Sequence, residues 1–210
     1  MDSFIHDLLM RHDSVVSIEW ESGGIVQIHR KSYPSFRAAI LREIRVTPEH
    51  IEPYLDTSVS VISNFPKIGK WTGAAINLCE TNSFAWGQWS LMMRAINNES
   101  PETTQNPEIA FNRRALAQHS RVLNVEFEFD HLLLVTHDRG VVLKVAMLYQ
   151  YDLTGDDVRD AWDEFGKFDV LLKTNPNGSI LDGAREVANS LGTKVFGIRD
   201  TLSYLARGKF

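Results

Sequence analysis

The stretch VEFEFDHLLLVTHDRGVVLK, running from Val125 to Lys144, decides the reading of the fold. Val125, Phe127 and Phe129 alternate with Glu126, Glu128 and Asp130, the period of a half-buried strand. Leu132 to Thr136 continues as an apolar extended run. Asp138-Arg139-Gly140 reads as a turn, and Val141 to Tyr149 as the next strand. Side chains two apart on a strand share a face. A regular strand therefore puts Glu126, Glu128 and Asp130 on one face. Val142, Lys144 and Ala146 share a face of the following strand.

The elements around this stretch follow in a clear order. Asn106-Pro107 opens a helix reaching about Ser120. Thr154-Gly-Asp-Asp157 has capping-box spacing and precedes the stripe Val158, Ala161, Trp162, Phe165. Phe168 to Lys173 reads as a short buried strand and Asn175-Pro-Asn-Gly178 as a turn. Ser179-Ile-Leu-Asp182 is read as a second capping box, before a helix that Gly192 ends. Lys194 to Ile198 is the last strand and Thr201 to Ala206 a short last helix. Antiparallel strands followed by crossover units predict a mixed sheet with helices on both faces.

The first part of the chain is less regular. Val15–Trp20 and Ile25–His29 read as strands, Ser35 to Arg45 as a helix, and Val59 to Phe65 as a strand. Residues 71–96 read as two helical pieces. Asn97 to Pro107 is polar with two prolines, so it is expected to be an exposed connector. The expected organisation is an N-terminal α+β elaboration over 1–96, packed on an α/β core over 97–210. No internal repeat is apparent.

Composition sets the class. With 43% apolar and 23% charged residues in a 210-residue chain, a folded core is expected. No apolar run has membrane-spanning length, and the N-terminus lacks the pattern of a signal peptide. The single Cys79 excludes an intrachain disulfide, and no Cys/His cluster has zinc spacing. A cytoplasmic location is the expectation. A net charge of −5 weighs mildly against a nucleic-acid partner, whose phosphates select Lys and Arg.

Taken together, Phe129-Asp130-His131-Leu132, Val142-Leu143-Lys144 and the α-β-β-β-α-β-α-β-α order resemble the PD-(D/E)XK restriction-endonuclease-like superfamily, in its Mrr-like style. The resemblance covers about residues 106–210. It implies a restriction-endonuclease-like core and a metal-dependent nuclease, or a relative of reduced or lost catalysis. It also implies Asp130 as the catalytic aspartate and Lys144 as the catalytic lysine. Mg²⁺ or Mn²⁺ would be the cofactor and DNA the suspected partner; a homodimer or a protein partner is compatible with it. The departure is Val142, which stands where the family keeps a metal-binding acid. Hard cations need carboxylate oxygens, so Asp130 would need help from Glu128 or from Glu108 on the preceding helix.

Other residues have competing readings. Arg113, Arg114 and Arg121 are candidates for contact with a nucleic-acid backbone, or the solvated face of a helix. His119, His131 and His137 are candidate ligands or bases, though isolated histidines are more often structural. Asp156-Asp157 reads as helix N-terminal charge. The cluster Trp71, Phe84, Trp86, Trp89 could stack bases but reads better as core. A non-enzymatic binding module on a degenerate nuclease fold is one alternative. The other is an α/β module holding a small anion at Asn175–Ser179, where a helix start offers N–H groups.

Overall fold

The computed structural model describes residues 3–210, which divide between Asn106 and Pro107 into two compact units. Both are α/β, with a mixed sheet flanked by helices. Among the described residues no helix is long and apolar enough to cross a membrane.

The second unit follows the expected order. Helix α4 (Pro107–Ala117) precedes the strands β8 (Val122–Phe129), β9 (Leu132–His137) and β10 (Val142–Leu148). Then come α5 (Gly155–Phe165), β11 (Val170–Lys173), α6 (Asp182–Leu191), β12 (Lys194–Gly197) and α7 (Ile198–Arg207). The sheet order is β12-β11-β10-β9-β8. The β8–β9 and β9–β10 pairs are antiparallel; β10–β11 and β11–β12 are parallel. Alternation of side chains divides the core between the two faces. Leu143, Val145 and Met147 of β10 pack with Ile109 and Leu116 of α4 and Leu205 of α7. Ala146 and Leu148 pack with Val158 and Ala161 of α5 and Ala184 and Ala188 of α6.

The capping box at Thr154 is present: its hydroxyl accepts from the Asp157 N–H, and Asp157 accepts from the Thr154 N–H. The one expected at Ser179 is not. Helix α6 begins at Asp182 with Leu181 at its N-cap, because both the N–H and the hydroxyl of Ser179 are given to Asp152 Oδ1.

The first unit contains α1 (Ser3–Met10), β1 (Val15–Trp20), β2 (Ile25–Arg30), β3 (Phe36–Leu41), β4 (Arg45–Val46), β5 (Val59–Asn64), β6 (Lys70–Trp71), α2 (Gly73–Thr81), β7 (Ala85–Gln88) and α3 (Trp89–Ile96). Its main sheet has the order β1-β2-β3-β5-β7, with two antiparallel pairs and then two parallel ones. Its core gathers Ile5 and Leu9 of α1, Leu91, Met92, Ala95 and Ile96 of α3, and the inward residues of the strands.

One expectation fails outright in this unit, and another is met only in part. Ser35 to Arg45 contains a strand, not a helix: β3 lies between β2 and β5, and Ala38, Ala39, Ile40 and Leu41 are all buried. A strand covered on both faces loses the period-two signal. The two helical pieces expected over 71–96 are present as α2 and α3, with the strand β7 between them as the unexpected element. The polar segment after Asn97 is also not a free connector. Pro101–Thr103 form a 3₁₀ turn, Pro101 and Thr104 are buried, and Asn98 Nδ2 donates to Thr104 at 3.0 Å. The break between units falls at Asn106.

Candidate functional site

The β8–β9 hairpin places the candidate acids. The register shifts between Phe127, opposite Leu133, and Phe129, opposite Leu132. Glu128 is thus the extra residue of a β-bulge, which bends the strand and re-aims its side chain. The bulge puts Glu128 onto Lys144. The Lys144 Nζ donates to Oε1 at 2.9 Å and lies 2.6 Å from Oε2. Lys144 is anchored through its backbone as well, its N–H donating to Asp169 Oδ2 at 2.8 Å.

Asp130 is elsewhere than the sequence placed it. It sits in the turn between β8 and β9, and β9 separates β8 from β10, so Asp130 and Lys144 are not on neighbouring strands. Lys144 is opposite Leu134, while Ala146 is opposite Leu132 beside the turn. The side chains of β10 nearest Asp130 on the Lys144 face are therefore apolar, Ala146 and Leu148. Asp130 is buried, and its Oδ2 is 3.4 Å from His131 Nδ1. Burial by itself lowers the His131 pKa. The Asp130 carboxylate, with Glu108 and Glu164, outweighs this and raises it above the ordinary histidine value. Glu108 accepts a short hydrogen bond from the Thr174 hydroxyl. Of these acids only Asp130 contacts the imidazole, whereas Glu128 is committed to Lys144. Val142 is 52% exposed at the start of β10 and supplies no oxygen. Among the described residues no group of three His, Cys, Asp or Glu side chains is placed to hold a metal ion.

The arginines divide. The Arg113 guanidinium lies 4.6 Å from the centre of the Phe127 ring. Arg121 is structural: it binds Asp138 through Nε and Nη2, each at 3.1 Å, and donates to the Ala206 carbonyl. That contact holds the Asp138 carboxyl below the usual range. Arg114 is exposed on α4.

His119 and His137 are structural as well. His119 Nδ1 accepts the Arg121 N–H, and the fully buried His137 bonds through Nε2 to the Leu205 carbonyl at 3.0 Å. Trp71 is buried and Trp89 packs edge-on against Phe65, so the aromatic cluster is core. The Asn175–Ser179 turn is held by Lys173, whose Nζ donates to the Asn175 and Asn177 carbonyls. With the Ser179 N–H already taken by a carboxylate, that turn presents an acid, not a donor, to an anion. Sequence reading did not single out Asp152, Asp169 or Thr174. Asp169, immediately before a buried strand, was the one with a local signal.

Compared with known proteins, the chain matches no family model, no curated protein and no solved structure.

Proposed function

We propose that the second unit is a nuclease-like core that binds DNA and has reduced or lost phosphodiester hydrolysis. The topology supports the nuclease-like part: a helix, a three-strand antiparallel meander and two parallel crossovers in the order expected for restriction-endonuclease-like proteins. Fold likeness is a weak warrant for chemistry, so the weight rests on the site. The observation that carries reduced activity is the Lys144–Glu128 pair. A lysine that positions water or offsets phosphate charge has to face the reacting group, and this ammonium is spent on a neighbouring carboxylate. A residual Mg²⁺ or Mn²⁺ would be held by the buried Asp130, with Glu108 of α4 as the second carboxylate. Two carboxylates with water are enough for weak binding of a hard cation. The exposed Arg114, with Arg113 on the same helix, is the candidate phosphate contact.

The test is a parallel binding and cleavage assay on single- and double-stranded DNA with Mg²⁺ or Mn²⁺, using the wild type, Asp130→Ala and Lys144→Ala. The expected result is salt-sensitive binding with little or no cleavage. Fast metal-dependent cleavage lost in Asp130→Ala would refute the reduced-activity part, and absence of binding at low salt would refute the DNA part.

A further inference from the structure

The two units repeat each other strand for strand. Each has a leading helix, a three-strand antiparallel meander, and two parallel strands that each precede or follow a helix of the same order. The register makes the correspondence residue by residue. In the first sheet Arg37 is opposite Gln27, and Ala38 is opposite Val26, itself opposite Trp20. In the second, Lys144 is opposite Leu134, and Val145 is opposite Leu133, itself opposite Phe127. The parallel strands agree: Ala38 meets Val61 as Val145 meets Val170. Hence Arg37 stands where Lys144 stands, and Glu21 where Glu128 stands.

This correspondence holds at one constant interval along the chain, without a gap, from Ser3 and Ala110 to Leu41 and Leu148. Leu9/Leu116, His12/His119, Val15/Val122, Glu19/Glu126, Glu21/Glu128 and Leu41/Leu148 are identical along it. A second, slightly longer constant interval aligns β5, α2, β7 and α3 with β11, α6, β12 and α7.

Small structural devices recur at matched places. His12 Nδ1 accepts the Ser14 N–H at 3.2 Å, as His119 Nδ1 accepts the Arg121 N–H at 3.2 Å. Buried Arg30 donates to the Ile96 carbonyl at 3.3 Å; buried His137, its counterpart, bonds the carbonyl of Leu205, the counterpart of Ile96. Helix α2 is followed by Ser83 at φ 59° and α6 by Gly192 at φ 72°. A shared fold alone accounts for the strand order. It does not account for a gapless register, identical residues and matched side-chain bonds.

The charged pair belongs to this set. Arg37 forms a bidentate contact with Glu21, its Nε 2.9 Å from Oε1. Lys144 does the same work on Glu128. In both units the pair spans from the end of the first strand, across the second, to the third. We infer that the chain is a tandem duplication of one α/β domain, and that Glu21–Arg37 and Glu128–Lys144 are two copies of one charge clamp. Lys144 is then a positioning residue that holds the bulged end of β8 to β10. The clamp deepens the reading under Proposed function in what it denies to Lys144. Its melting readout needs no nucleic acid, so failure of the clamp and failure of that reading are distinguishable.

The test uses the full chain. Arg37→Lys and Lys144→Arg exchange the cations of the two copies; Arg37→Met and Lys144→Met remove them. The exchanges should leave each melting transition within about 2 °C of wild type, and the methionine variants should each lower one by roughly 2–6 °C, the range for a partly exposed pair in a domain of this size. The charge-reversed double variant Glu128→Lys/Lys144→Glu should recover most of the Lys144→Met loss. DNA binding by folded Lys144→Met should change less than about twofold, because a phosphate-contacting lysine would instead weaken it and reduce its salt slope. A Lys144→Met chain that melts like wild type but loses binding or cleavage would overturn the assignment. So would loss of stability on Lys144→Met with none on Arg37→Met.

Discussion

Gly178 packs against the backbone of Tyr151 so closely that a β-carbon added there would overlap the Tyr151 carbonyl oxygen. Its φ of 72° is also in the region that favours glycine. Gly178→Ala must therefore displace main chain, not a side-chain tip. The left-handed strain alone is about 1–2 kcal/mol, and the overlap adds to it. The expected outcome is a fall of roughly 10 °C in the melting transition of the second unit. A melt within 2 °C or so of wild type would mean that the Asn175–Ser179 turn is not held as described.

Ser83 is the non-glycine residue at positive φ among the described residues, at 59°. Its counterpart at the end of the other helix is Gly192. Ser83→Gly should stabilise the first unit by up to about 1 kcal/mol, the left-handed strain being relieved against the added freedom of the unfolded chain. Chemical denaturation gives the sign, and destabilisation would contradict the prediction.

The Asp130–His131 contact has a definite pH signature. The His131 pKa is raised in the folded chain. Its contribution to stability is thus complete below the unfolded value of about 6.5. That contribution is lost as pH rises through the higher folded pKa. The difference in melting temperature between wild type and His131→Asn should be largest at mildly acid pH and shrink on the alkaline side. A difference that grows with pH would place the wrong partner beside the ring.

Cys79 is fully buried on α2, and burial pushes its thiol up to about 12. The thiolate is the reactive form. A thiol-specific disulfide reagent should modify the native chain slowly and the denatured chain at once. Rapid stoichiometric labelling under native conditions would show that α2 opens readily.

The second unit was legible because its strands alternate and its turns carry Asp-Arg-Gly and Asn-Pro-Asn-Gly. The central strand β3 was not: burial on both faces removes alternation, and Arg37-Ala38-Ala39-Ile40-Leu41 is composed of good helix formers. Strand β7, four residues with Ala85 and Gly87, was hidden between two helices. At the site, Asp130, Glu128 and Lys144 were all named, but which acid meets the lysine depends on a bulge that no local pattern announces. The repeat escaped for a related reason. Val, Ile, Leu and Met replace one another freely at the buried positions, and 3₁₀ turns at Pro48–His50 and Glu52–Tyr54 replace α5.

Two copies of one topology in a single chain create a hazard during folding. A strand of one copy can dock into the sheet of the other, since backbone pairing is indifferent to which copy supplies it; such misassembly is characteristic of tandem domains. The charge clamps give little protection, because each pairs a glutamate with a cation. Discrimination has to come from side-chain volume: Gly87 is matched by Phe196, Ile5 by Asn112, and Trp86 by Val195. The divergence that hides the repeat from the eye is thus also what keeps each copy's strands at home.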